Sequence, residues 1–275
     1  MKPFPRLSTI LALAALACGQ AGALPTAVPS SSPTTSETPT PAPTPAPTEA
    51  ARPPEAVWIN TPGNGSRLVG SVHIEGQADP TFEQALVVQV VALDGESFTV
   101  LAQQTVTIGA AAGQRGPFTA DLDFAVDAGA ERPGAINVYA TSPRDGGVTH
   151  LASVQVTLAG SGDEILREGE SPEERIAVSQ PASGATLSGG LAHVEGFGWA
   201  SFEQTLLVEI VDVNGVVIGS APVIVQGPDV GWPGPFAIDV PYSLSAAGPG
   251  RVIVRDISPA FGQTLHETTV DVDLS

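Results

Sequence analysis

Four histidines, one cysteine and a scatter of carboxylates are the residues of this 275-residue chain whose types suit chemistry. The histidines form two pairs, His73 with His193 and His150 with His266, 120 and 116 residues apart. Zinc would need three or four N, S or O groups converging on one point. The flanking residues argue against that. His73 alternates with Val72 and Ile74 and so shares an outward face with Ser71 and Glu75, and His193 does the same beside Glu195. His150 falls in register with the inward Val154, Val156 and Leu158, and His266 with Val270, Val272 and Leu274. The reading is a half-buried histidine at the end of a core rather than a ligand. Glu83 and Glu203 each follow a phenylalanine. A carboxylate beside a core aromatic at a strand entry accepts backbone N–H bonds more readily than it performs chemistry. Asp121 with Asp123, and Asp271 with Asp273, sit two apart on what reads as a solvated strand face, whereas calcium needs six or more oxygens around a point. The sequence contains no G-x-S-x-G elbow, H-E-x-x-H, P-loop or dinucleotide fingerprint. No catalytic residue, cofactor or metal ligand is therefore expected. Trp199 and Trp232 remain as a candidate binding surface: exposed, they would form an aromatic platform for glycan or protein, and turned inward they are loop packing.

The lone cysteine has a particular place. Lys2 and Arg6 precede an apolar run, Leu7 to Ala17, whose 11 residues fall short of the roughly 20 that a membrane-spanning helix needs. Residues 1–17 thus read as an export signal. The run ends at Ala15-Leu16-Ala17-Cys18, which resembles a bacterial lipoprotein signal, with Cys18 as the lipidated residue and the membrane as a partner through that anchor. Ala15-Leu16-Ala17 and Ala21-Gly22-Ala23 also satisfy an ordinary A-x-A cleavage site, so simple secretion stays open. With one cysteine, no internal disulfide is available, and stability must come from apolar packing. The formal charge is -18; loss of Lys2 and Arg6 makes it -20 and leaves no lysine. Such a chain repels phosphate backbones and anionic headgroups, which excludes nucleic acid as an expected partner.

The elements that position these residues come as a duplication. Phe82-Glu83-Gln84 returns as Phe202-Glu203-Gln204, Gly116-Pro117-Phe118 as Gly234-Pro235-Phe236, and Ser142-Pro143 as Ser258-Pro259. The offset drifts only from 120 to 118 to 116, so the folding unit is about 100 residues. Trp199 and Trp232 lie in the second copy alone, where the first has Asp79 and Gln114. The expected organisation is a signal peptide (1–17), a lipidated cysteine and Pro/Thr/Ser-rich stalk (18–56), one domain (57–158), an acidic mobile linker (159–175) and a second domain (176–275). A 33-residue proline-dense stretch such as 24–56 would reach roughly 100 Å if extended at about 3.1 Å per residue.

Within each copy the hydrophobic period is two. Leu86, Val88 and Val90 share one strand face, as do Leu206, Val208 and Ile210. Asp94-Gly95 and Asn214-Gly215 favour tight hairpins. About seven short strands per copy, without an amphipathic helix, predict an all-β chain of two tandem antiparallel β-sandwiches.

The order of words is also familiar: Pro-x-x-Gly (Pro62 to Gly65; Pro181 to Gly184), Glu-Gly (Glu75-Gly76; Glu195-Gly196), Phe-Glu, Gly-Pro-Phe, then Ser-Pro followed by Gly146 or Gly262. It resembles the immunoglobulin-like domain of bacterial spore-germination proteins, a family also seen in exported lipoproteins. The resemblance implies Ig-like sandwiches with an envelope, adhesive or assembly role and no catalytic site. The expected function is a lipid-anchored, non-catalytic cell-envelope protein displaying two Ig-like domains to an envelope protein or glycan. A cell-wall hydrolase with dispersed carboxylates and a passive spacer are the alternatives.

Overall fold

A computed structural model describes residues 52–275 except Glu96; the expected signal segment, Cys18 and nearly all of the expected stalk lie outside the described residues. Ala50–Ser275 is one compact unit. Its first half contains β1 (Val57–Thr61), β2 (Ser66–Val69), β3 (Ser71–Ala78), β4 (Ala85–Asp94), β5 (Ser97–Thr107), β6 (Gly116–Asp123), β7 (Glu131–Thr141) and β8 (Val148–Ala159). The second half repeats the series as β9 (Ile176–Gln180), β10 (Ala185–Leu187), β11 (Leu191–Gly198), β12 (Thr205–Val211), β13 (Val217–Ile224), β14 (Gly234–Pro241), β15 (Gly248–Ile257) and β16 (Thr264–Leu274). The all-β expectation holds. Among the described residues no helix is long and apolar enough to cross a membrane.

Each half folds the same way. One layer is β1-β3-β6, or β9-β11-β14. The other is β5-β4-β7-β8 with β2 added in parallel, or β13-β12-β15-β16 with β10. Alternation along strands such as β3 and β6 sends one side chain in two between the layers, while β4, β8 and β15 also carry consecutive buried residues. Leu86, Val88 and Val90 belong to one core, and Leu206, Val208 and Ile210 to a separate one. The repeated words explain how the layers close. The Phe118 ring lies over Gly76, where an added Cβ would come within 2.4 Å of it, and Phe236 lies over Gly196 at 2.5 Å. Glu-Gly and Gly-Pro-Phe are therefore two halves of one packing contact across paired strands.

The halves join edge to edge. β8 gives its far half to β2 and its near half to β16, and β16 divides itself between β10 and β8 in the same manner. The three-residue antiparallel pairing Thr268↔His150, Glu267↔Leu151 and His266↔Ala152 makes one continuous eight-stranded sheet, β5-β4-β7-β8-β16-β15-β12-β13.

The Ser-Pro turns reinforce the junction by crossing it. The first half's turn sends Arg144 to Asp271 and Asp145 to Arg251. The second half's turn places Ser258 Oγ against the Gln155 amide, and Phe261 against Val91, Leu93 and Ala135. Asp271 is thus a junction residue, not only part of a solvated face.

The acidic segment between the halves departs from the expected mobile linker. Ile165 exchanges both backbone hydrogen bonds with Arg67, Gly63 N–H donates to Arg167 O, and Gly169 N–H donates to Asn60 O. The Arg67 guanidinium donates to the Ser161 and Asp163 carbonyls and pairs with Glu131. This strap fits only because two glycines let backbone meet backbone: a Cβ on Gly63 would lie 1.9 Å from the Glu168 carbonyl oxygen, and one on Gly169 2.2 Å from that of Ile59. Gly63→Val is expected to lift the strap at a cost of about 1–3 kcal/mol. Amide hydrogen exchange checks this: protection should fall across residues 161–170 and persist in both cores.

Candidate site at the seam between the two sandwiches

Just before each sandwich begins, the chain makes a short antiparallel exchange with its counterpart. Glu55 N–H donates to Pro172 O at 2.6 Å and Glu174 N–H donates to Pro53 O at 2.9 Å, around the Pro54↔Glu173 bridge. Arg52 pairs with Glu173 there. This pairing turns Glu55 and Glu174 inward, and both are buried. Their side chains cross over. Glu55 Oε2 accepts the Arg175 N–H at 2.7 Å, and Glu174 Oε2 accepts the Ala56 N–H at 2.8 Å. Each carboxylate thus binds the backbone directly after the other.

The remaining oxygens meet the two inward histidines. His150 Nε2 stands 3.8 Å from Glu55 Oε1 and 3.7 Å from Glu174 Oε1, and His266 Nδ1 is 3.1 Å from Glu55 Oε1. One ligand-type atom each from Glu55, His150 and Glu174 lies within 4.8 Å of the others. Around this centre, Arg115 donates to the Glu55 carbonyl at 2.9 Å and to Asp79 at 2.7 Å. Asp256, cross-strand from His266, accepts from Ser201 N–H and Oγ.

Burial alone would push the Glu55 carboxyl up, but the two imidazoles beside it win and hold it at about 2. Burial would lower His150; Glu55, Glu174 and Asp79 together raise it instead. Glu174 is raised, by burial first and by the Glu55 charge, with His150 opposing. These directions set a stability window. The depressed Glu55 contributes stability above its unfolded value of 4.5 that is lost as pH falls toward 2. The raised His150 contributes stability below its unfolded value of 6.5 that is lost as pH rises through its folded value. The raised Glu174 likewise favours the acidic side. In chelator, the thermal midpoint is expected to peak between pH 4.5 and 6.5 and to decline on both sides, which thermal melts across pH 3–9 measure directly.

The other sequence-derived candidates take different places. His73 and His193 are exposed, as expected, each held between two carboxylates: His73 by Asp121 and Glu75, His193 by Asp239 and Glu195. Glu83 and Glu203 do not bond backbone beside a core aromatic. Both adopt left-handed backbone, with φ of 55° and 47°, and the phenylalanines before them are 57% and 48% exposed. The following glutamine does the work instead, Gln84 donating to the Ala111 and Gln114 carbonyls and Gln204 to that of Asp229.

Trp199 and Trp232 part company. Trp199 is half-buried, stacked 4.2 Å from the Arg175 guanidinium, and its indole N–H donates to Gly231 O at 2.9 Å. Trp232 is 60% exposed on the loop before β14, near Val230 at 77%. Cys18 lies outside the described residues.

Sequence reasoning missed Glu55 and Glu174, having placed one in the stalk and the other in the linker. A signal did exist: Glu55-Ala56-Val57 and Glu174-Arg175-Ile176 are matched and 119 residues apart, so the repeat starts earlier than composition suggests.

Residues 56–147 match the family model of the immunoglobulin-like domain of bacterial spore germination, in agreement with the resemblance carried by the repeated words. No curated protein matches the chain. Among solved structures, the crystal structure of red sea bream transglutaminase is similar at 8% identity and a TM-score of 0.26, over 80% of this chain and 31% of that one. The chain spans less than a third of that enzyme's length.

Proposed function

We propose that this is an exported, non-catalytic envelope protein that presents two joined immunoglobulin-like sandwiches for binding a protein or glycan. The presumption of a binding or structural role comes from the matched domain. The export signal, the cysteine at its boundary and the proline-dense stretch support display at the outer face of a bacterial membrane, through a lipid on Cys18.

The observation that carries the binding reading is the loop between β13 and β14. Val230 and Trp232 stand out from it, and the Phe202–Gln204 turn lies alongside, tied to it by the Gln204 amide on Asp229 O. Phe202 is itself 48% exposed. A protruding aromatic beside a rigid Pro-Gly-Pro sequence is the kind of anchor that dominates interface energetics. A photo-crosslinking residue replacing Val230, displayed on intact cells, is expected to capture one defined envelope component, and Trp232→Ala should reduce that capture at least tenfold. Equal capture from a probe at Thr119 on the first half would contradict the assignment. For the anchor, mass spectrometry of the mature N-terminus should find an acylated Cys18; a start at Leu24 would contradict it.

A further inference from the structure

We infer that the seam is a binding site for one divalent transition-metal cation of the zinc class, held by His150 Nε2 and by one carboxylate oxygen each of Glu55 and Glu174. The three atoms already stand close to coordination spacing. Tetrahedral zinc with arms of about 2.0–2.1 Å places its ligands about 3.3 Å apart. The two His150–carboxylate distances are 3.8 and 3.7 Å, about half an ångström longer than that, and all three ligand atoms lie within 4.8 Å of one another, so closing the set needs the two carboxylates drawn in around the nitrogen. The donor set of imidazole and carboxylate is one that zinc accepts, whereas calcium takes oxygen alone.

Orientation is the second argument. Backbone N–H groups hold Oε2 of each glutamate, and that leaves Oε1 of each turned toward His150. His266 Nδ1 reaches Glu55 Oε1 from the other half, and the Ile176 N–H reaches Glu174 Oε1 at a long 3.4 Å. Such outer partners are what fix metal-ligating carboxylates in place.

The third argument is the histidine nitrogen itself, whose two facing carboxylates stand at 3.7 and 3.8 Å, beyond hydrogen-bond distance. His150 Nε2 is buried and has no hydrogen-bond partner, which is costly for an imidazole nitrogen unless something else meets it. A 2+ ion would satisfy that nitrogen and balance two buried carboxylates while both imidazoles stay neutral. Glu55 and His150 come from the first half and Glu174 from the second, so the cation would clasp the two sandwiches together.

The test uses the full chain with Cys18→Ser, so that the lone thiol does not compete, stripped with chelator and titrated with ZnCl2 against a chromophoric chelator. One zinc per chain should bind, raise the thermal midpoint, and resist millimolar calcium. His150→Gln and Glu174→Gln should each weaken binding at least a hundredfold, while the double variant His73→Gln, His193→Gln leaves it unchanged. Cobalt(II) in the Cys18→Ser chain with the seam intact should give the intense visible bands of a four-coordinate site, a readout that stands even where a seam variant fails to fold. Absence of saturable zinc binding overturns the proposal. So does binding that survives both seam variants and disappears with the surface pair, or a cobalt spectrum as weak as that of the hydrated ion.

Discussion

Glu55→Ala is expected to cost about 3–5 kcal/mol, because removing one partner from a buried charged cluster strands the others. It would leave the Arg175 N–H without its acceptor, His266 without its carboxylate and the Ala56–Glu174 contact without its counterpart. The loss falls at the junction, not in either core, since Glu55 belongs to neither hydrophobic cluster. Calorimetry should therefore show one cooperative transition in the parent chain and two separated ones in the variant. Glu83→Ala, which removes an exposed carboxylate, should stay within about 0.5 kcal/mol of the parent. Equal effects from the two substitutions would mean that the seam carries no special weight.

Phe118→Ala and Phe236→Ala are each expected to cost about 3–5 kcal/mol, the range for deleting a buried aromatic. Both rings are 2% exposed and each fills the space above a glycine on the neighbouring strand. The cavity cannot be closed by collapse of that strand, because Gly76 and Gly196 carry no side chain to move in. The two variants report on different cores. In denaturant unfolding, the signal of Trp58 in the first half and that of Trp199 and Trp232 in the second should shift by the same amount in either variant, because the intact seam makes the chain unfold as one. Separate shifts, with only the half carrying the substitution weakened, would contradict that coupling.

Much of this architecture is legible in the sequence, for a physical reason. Two-residue periodicity at Leu86-Val88-Val90 and Leu206-Val208-Ile210 is local, so strand and face follow from it. β2 and β10 escaped notice because they are only four and three residues long and pair in parallel with strands far away in sequence. The Phe-Glu-Gln turn misled for a different reason. Positive φ at two successive residues rotates the phenylalanine out and the glutamine in, and no periodicity encodes that.

The seam was hidden most deeply. Glu55 and Glu174 lie in segments whose composition resembles stalk and linker, and their meaning depends on a crossing between residues 119 apart. The two-residue register does put His150 and His266 on inward faces at the sandwich ends, yet each half alone supplies only part of the cluster. The second half supplied what one-repeat reasoning could not: the carboxylate and backbone groups that complete the first.

The central claim is that the two sandwiches form a single body fastened at the Glu55–Glu174 crossing. Distance measurement between spin labels tests it most directly, with cysteines replacing exposed Asp123 on β6 and exposed Ser220 on β13 in a Cys18→Ser background. One narrow distance distribution is predicted for the parent chain, broadening when Glu55→Ala is added. A broad distribution in the parent, of the kind two domains on a free linker would give, would contradict the account.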